Sequence, residues 1–165
     1  MSASIGSATQ TAAEEHVVVF RLSSEFYALE IQAVQEIVRM QSITTIPGSD
    51  AWIEGITNLR GRVVPVVDLR KRCGLDPADH TVETRIVVVN SSSGMVGLIV
   101  DAVTEVMRIP GDQIELPNSL VAVPATYHLR GVAKLDDRLI SLMDLAKVLP
   151  AQELTEVVED ADQAA

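Results

Sequence analysis

The chain is written twice. Val17-Val18-Val19-Phe20 returns 69 positions later as Ile86-Val87-Val88-Val89, and Val34-Gln35-Glu36-Ile37-Val38-Arg39 returns in the same register as Val103-Thr104-Glu105-Val106-Met107-Arg108. Gly55 to Leu69 lines up with Gly131 to Leu145 at an offset of 76. The two offsets differ by seven, which puts an insertion of that size in the second copy, within the Pro-bearing stretch Leu116 to Pro124. A single repetition over about 70 residues is too long for a solenoid unit and fits a duplicated small domain. Two like-folded halves are expected, side by side.

Each copy opens on a β-branched run, turns through serines (Ser23-Ser24, then Ser91-Ser92-Ser93-Gly94) and re-enters a strand at Tyr27 or Met95. Ile31 to Val34 and Val100 to Val103 each have room for one helical turn before alternation resumes at Glu36 and Glu105. After Pro47-Gly48, Ser49 is placed to cap a short helical turn holding Trp52 and Ile53. A second hairpin closes each copy, around Arg60-Gly61-Arg62 and around Asp136-Asp137-Arg138. Asp68 and Asp144 then stand where a cap of a brief helix belongs, with Gly74 and Pro150 as the stops. Pro65 falls mid-strand, which calls for an edge or a bulge there. Five short strands per copy suit a small closed barrel, an architecture that leaves no open edge. The fold class is all-β with a few short helices, as two five-stranded barrels.

Hydrophobic residues make up 47% of the chain but aromatics only 3%, so Val, Ile and Leu must fill the interior. The formal charge of −10 sits mostly at the ends: residues 151–165 carry five acids, and neither 1–15 nor 151–165 has a Lys or Arg. That distribution argues against nucleic acid or an anionic membrane as partner. Residues 1–15 read as a disordered tail, 16–80 and 81–150 as the two barrels, and 151–165 as an acidic tail with Leu154, Val157 and Val158 able to form a short helix. There is no apolar run of membrane-spanning length and no basic, apolar leader, so the chain reads as cytoplasmic, without membrane insertion. The lone Cys73 allows no internal disulfide or multi-cysteine metal site, and Leu69 and Leu75 nearby suggest a small buried hydrophobe.

Catalytic motifs are missing: no Gly-rich phosphate loop, no His-Glu-x-x-His, no nucleophile elbow. His16, His80 and His128 share no partner spacing and read as surface or turn residues, so neither a metal nor a cofactor is expected. The repeat is the better filter. Gly55/Gly131, Arg62/Arg138, Asp68/Asp144, Glu36/Glu105 and Arg39/Arg108 are kept in both copies and lean structural, whereas Arg60 faces Asp136, a charge reversal at a hairpin tip. Something distinguishes the two faces, and the equipment is that of a binding module.

Val34-Gln35-Glu36-Ile37, then Gly55-Ile56-Thr57-Asn58-Leu59-Arg60-Gly61 through Val63-Val64-Pro65-Val66-Val67-Asp68-Leu69, then Gly97-Leu98-Ile99-Val100-Asp101, resemble the CheW family over about residues 16 to 150. The resemblance implies two SH3-like barrels and a non-catalytic chemotaxis adaptor that couples methyl-accepting receptors to the histidine kinase CheA in membrane-associated arrays. It implies a receptor helical tip in a groove between the barrels, contacts with the kinase's regulatory domain, and ring contacts between CheW copies. Carried over, the receptor-facing positions are Val34, Glu36, Gly55 and Arg60, and the kinase-facing positions are Arg39, Met40 and Ile43. The resemblance also implies an ion pair between Glu36 and Arg60. The alternatives are a competing or inhibitory coupler, a coupler of a pilus-type or other chemosensory pathway, and, more remotely, a metal- or phosphate-using enzyme built on Glu36, Glu105 and the histidines.

Overall fold

The computed structural model describes residues 14–92, 94–116 and 128–149. In chain order these form β1 (Glu14–Leu22), β2 (Glu25–Glu30), a 3-10 turn (Ile31–Ala33), β3 (Val34–Arg39), β4 (Ile53–Leu59), β5 (Arg62–Asp68) and α1 (Leu69–Arg72). The second copy contributes β6 (Arg85–Ser91), β7 (Gly94–Val100), β8 (Ala102–Pro110), a 3-10 turn (Gly111–Gln113), β9 (Ile114–Glu115), β10 (Leu129–Leu135), β11 (Arg138–Met143) and α2 (Leu145–Val148). The all-β fold with short helices is what the repeat called for. The expected insertion falls largely outside the described residues, as do the acidic tail and its helix.

The strands assort into one sheet ordered β9-β10-β11-β2-β1-β8 and another ordered β3-β6-β7-β5-β4. Both curl shut in the same way. Past its 3-10 turn the chain leaving β8 returns as β9 to pair with β10, and past β3 Thr44 bridges to Ile56 of β4 through two backbone hydrogen bonds. This gives two SH3-like barrels, but neither is made from one copy of the repeat. The β1–β2 hairpin lies in the barrel of the second copy, and the β6–β7 hairpin in that of the first. The division near residue 80 is therefore corrected: the copies exchange hairpins.

The exchange repeats residue for residue. Val66 pairs in parallel with Gly97, and their repeat images Leu142 and Ala28 pair likewise. A bulge sets Val19 and Phe20 against Glu105 and Val103, and the same bulge sets Val88 and Val89 against Glu36 and Val34. Repetition shows that the copies fold alike; it carries no information on whose strands pair with whose, because both pairings bury the same apolar residues.

Exchange also explains the unbroken apolar runs, since strands covered on two faces need not alternate. Val17, Val19, Ala28, Ile140 and Leu142 fill one barrel, and Val64, Val66, Ile86 and Val88 fill the other. Phe20, Leu29, Val67, Val89, Leu98 and Met143 form a third core shared between the barrels. Burying a Val or Leu side chain contributes roughly 1.5–3 kcal/mol. The barrels are thus joined by a hydrophobic layer rather than by a linker.

Local expectations fare unevenly. Asp68 and Asp144 cap α1 and α2, accepting from the amides of Arg70 and Ala146. The supposed tail 1–15 loses its last two residues to β1, where Glu15 pairs with Arg130; residues 1–13 lie outside the described residues. Ser49 begins no helix: its hydroxyl donates back to the Ile46 carbonyl at 2.7 Å, closing a turn instead. The turn expected at Val100 to Val103 is a bend at Asp101, held by the Arg70 fork and the Ser23 amide. Pro65 sits on an inner strand without a bulge of its own. β5 meets β7 only from Val66 to Asp68, so at Pro65 that side has no ladder partner and the missing N–H costs nothing.

No helix among the described residues is long and apolar enough to cross a membrane.

Candidate functional site

β3 alternates half-buried and exposed residues along its whole length. Val34, Glu36 and Val38 form the inner row; Gln35, Ile37 and Arg39 form the outer one. Val34 packs against the shared core and Val38 against the interior of its own barrel. Between them the Glu36 carboxylate emerges at the seam between β3 and β4, the two outermost strands of this sheet. Arg60, at the tip of the β4–β5 hairpin, reaches across, and its Nη1 donates to Glu36 Oε2 at 3.0 Å. The pair forms as expected, within one barrel, because both residues belong to the same sheet.

The tip that carries Arg60 is held in an unusual conformation. Arg60 and Gly61 both have positive φ, 55° and 84°, the combination that twists a two-residue hairpin correctly and that favours Asn or Gly at the first place. An arginine there costs about 1 kcal/mol. The Asn58 side chain offsets part of this by accepting from the Gly61 amide at 2.9 Å. The guanidinium is thus lifted off the barrel, 79% exposed, while its carboxylate partner is 25% exposed.

Gly55 belongs to the same site but cannot touch a partner through a side chain. It is buried, its φ is 146°, and a Cβ there would stand 2.0 Å from the Thr44 carbonyl oxygen. It lets the segment after β3 close the barrel, a closure that Thr57 reinforces by donating to the Ser42 carbonyl. Arg39 ends β3, and Met40 and Ile43 lie on the segment that follows. Met40 and Ile43 lean on the barrel interior, whereas Arg39 projects outward beside a hollow of about 350 Å3 that Met40 also lines.

Sequence reasoning missed the outer rows. Ile37 and Val106 are exposed repeat images of one another, and so are Val63 and Leu139. Exposed apolar residues kept at equivalent places could have been found by asking which member of each alternating pair was apolar on the wrong side. It also missed that Trp52 carries the Arg72 guanidinium 4.6 Å above its ring while the Arg72 Nε donates to the Val148 carbonyl. That contact ties α1 of one copy to α2 of the other.

The remaining reactive groups are spread out. Cys73 is half-buried against the shared core, and burial pushes its thiol up to about 11, a small hydrophobe rather than a nucleophile. His16 and His80 are exposed; burial lowers His128 below the usual imidazole range. Among the described residues no three His, Cys, Asp or Glu side chains gather as metal ligands.

Two barrels fused through one core, with charge pairs at their seams and apolar side chains on their outer rows, define a protein-docking adaptor. Residues 16–153 match the CheW-like domain family. The chain belongs to the CheW family and is a chemotaxis coupling adaptor. It is 32% identical over 140 residues to the chemotaxis protein CheW of Klebsiella aerogenes, covering 85% of this chain and 84% of that one. Against the chemotaxis protein CheW of Bacillus subtilis the identity is 33% over 146 residues, 88% and 94% of the two chains. The crystal structure of the scaffolding protein TtCheW from Thermoanaerobacter tengcongensis superposes with a TM-score of 0.77 at 40% identity, over 84% of this chain and 96% of that one.

Proposed function

We propose that this chain links the cytoplasmic tip of a methyl-accepting receptor to the histidine kinase CheA, in the cytoplasm at receptor arrays, and performs no chemistry of its own. The receptor surface is the Glu36–Arg60 seam with Val34 beside it, and Gly55 serves it by holding the barrel closed. The kinase surface is the outer side of β3 together with the segment that leaves it, with Arg39, Met40 and Ile43.

The observation that carries this reading is the exposed Arg60 fork on its strained turn. An exposed ion pair contributes only about 0–1 kcal/mol, so stability does not explain an arginine kept where Asn or Gly would sit more easily. A fork held by Glu36 in one geometry can instead present its free N–H groups to a partner's carboxylate or carbonyl. Glu36 lies in the inner row of β3 and Arg39 in the outer row, which leaves room for two partners to approach from different sides. Weak contacts of this kind gain strength by multivalency in a lattice.

The test is reconstitution of purified chain, receptor tip and kinase, with autophosphorylation of the kinase as readout. A large increase on adding the chain is expected. A decrease would identify a competing coupler, and turnover by the chain alone would identify an enzyme.

A further inference from the structure

Arg39 of β3 and Arg85 of β6 are directly opposed in the antiparallel ladder, so both side chains leave the same face of the sheet. Like charges so placed repel. Among the described residues neither arginine has a carboxylate within ion-pair distance. Arg85 Nη1 donates to the carbonyls of Val82 and Thr84, at 2.8 and 2.9 Å, which fixes the direction of its fork without neutralising it. Arg39 is exposed, and the two line the same hollow with Met40, Thr81, Val82 and Thr84. Val82 is 92% exposed beside them.

The repeat supplies an internal control. The images of Arg39 and Arg85 are Arg108 and His16, again directly opposed, and there Glu14 places a carboxylate 3.9 Å from the Arg108 guanidinium. The image of Glu14 is Glu83, which faces Arg21 at 4.0 Å instead. One barrel thus answers its arginine with a carboxylate of its own first strand. The other doubles the fixed positive charge by setting an arginine where the image has a histidine, and among the described residues leaves it unanswered, on a protein of formal charge −10.

We propose that Arg39 and Arg85 form a two-pronged clamp for a carboxylate of the docked kinase, an Asp or Glu flanked by an apolar residue that seats against Met40 and Val82. This rests on the reading that the outer side of β3 faces the kinase, and it adds Arg85 as a specificity-determining residue. Charge complementarity commits the site to an acidic segment: two guanidinium groups on one carboxylate give charge-assisted, fork-shaped bonds and also speed encounter.

The test is titration calorimetry of the full chain with the regulatory domain of the kinase, at low and raised salt. Arg39→Gln and Arg85→Gln should each weaken binding about tenfold, and the double variant by less than the product, since both act on one carboxylate. Salt should weaken the wild type more than the double variant. Arg85→Lys should fall between wild type and Arg85→Gln, keeping charge without the fork. Arg39→Gln alters only an exposed side chain and decides the matter even if Arg85→Gln unfolds the protein. Met40→Asp, with its fold confirmed by circular dichroism because Met40 also packs on the barrel interior, separates the two ideas. If it abolishes binding while Arg39→Gln and Arg85→Gln bind as wild type, the clamp is overturned and the kinase-facing reading stands. If Met40→Asp binds as wild type too, both fall. If either glutamine variant tightens binding, and removal of residues 151–165 does so only when both arginines are present, the chain's own acidic end is the occupant and the proposal is overturned.

Discussion

The two barrels solve one problem in two ways. Glu36 and Glu105 are repeat images, and each bridges the seam of its barrel by pairing with an arginine from the facing hairpin, but not with the same arginine. Glu105 takes Arg138, at the start of β11, whose guanidinium also lies 5.3 Å above the Phe26 ring and within 3.7 Å of the Met107 sulfur. Glu36 takes Arg60, two places earlier relative to the repeat, at the tip itself. Arg138 is 30% exposed and Arg60 is 79% exposed. The first arginine is packed into its barrel; the second stands off it. Duplication thus left one copy with a packed clasp and the other with an exposed one.

The sharpest way to break this comparison uses the paired glycines. Gly55→Ala forces a Cβ against the Thr44 backbone at a positive φ, whereas at Gly131 the added atom meets first the movable Ile114 Cγ2, at 2.9 Å. We expect losses of about 3–4 kcal/mol at Gly55 and about 1–2 kcal/mol at Gly131 in urea unfolding. Equal losses would show that the two seams close equivalently.

Next in size is Asp101, whose image is Gln32. Burial alone would raise the Asp101 carboxyl, but the Arg70 fork and the Ser23 amide outweigh it and hold the group below its ordinary range. A carboxyl depressed in the folded state stabilises above its unfolded pKa of about 4 and loses that contribution as pH falls through the lower folded value. Asp101→Asn should therefore cost about 1–2 kcal/mol at pH 7, and the gap should close in acid. Gln32→Ala should stay within about 0.5 kcal/mol at every pH. A pH-independent gap would remove the charge from the account of this corner.

Arg138→Ala should cost about 1 kcal/mol of stability and Arg60→Ala less than about 0.5, while receptor-tip binding should fall about tenfold for Arg60→Ala alone. A reversal of either ranking would undo the division of labour. The smallest effect is the most discriminating. Arg60→Asn relieves the turn and should raise stability by about 0.5 kcal/mol even as it weakens receptor binding. A gain in one and a loss in the other is the mark of a residue held for recognition.

What could be read from the sequence was what lies close along the chain or is repeated. The caps at Asp68 and Asp144 were legible because a cap and its helix are neighbours. The Glu36–Arg60 pair came from the resemblance, and its geometry from the fold. The hairpin exchange was not legible, because either assignment of β1–β2 buries Val17 and Val19 equally well. Arg85 was invisible for a related reason: its meaning depends on standing opposite Arg39, a relation set by ladder register 46 positions away in sequence. The demand on Gly55 for close approach to the Thr44 backbone was not legible, because the two meet only when the barrel closes.

The reciprocal loan of hairpins also bears on how such a chain could arise. One repeat alone has a hairpin with nowhere to dock and a barrel short of two strands, so it is incomplete in both respects at once. Two separate copies would complete each other as an intertwined pair with a twofold axis, and joining them head to tail, through the span now occupied by residues 69–84, would give this connectivity with no strand re-paired.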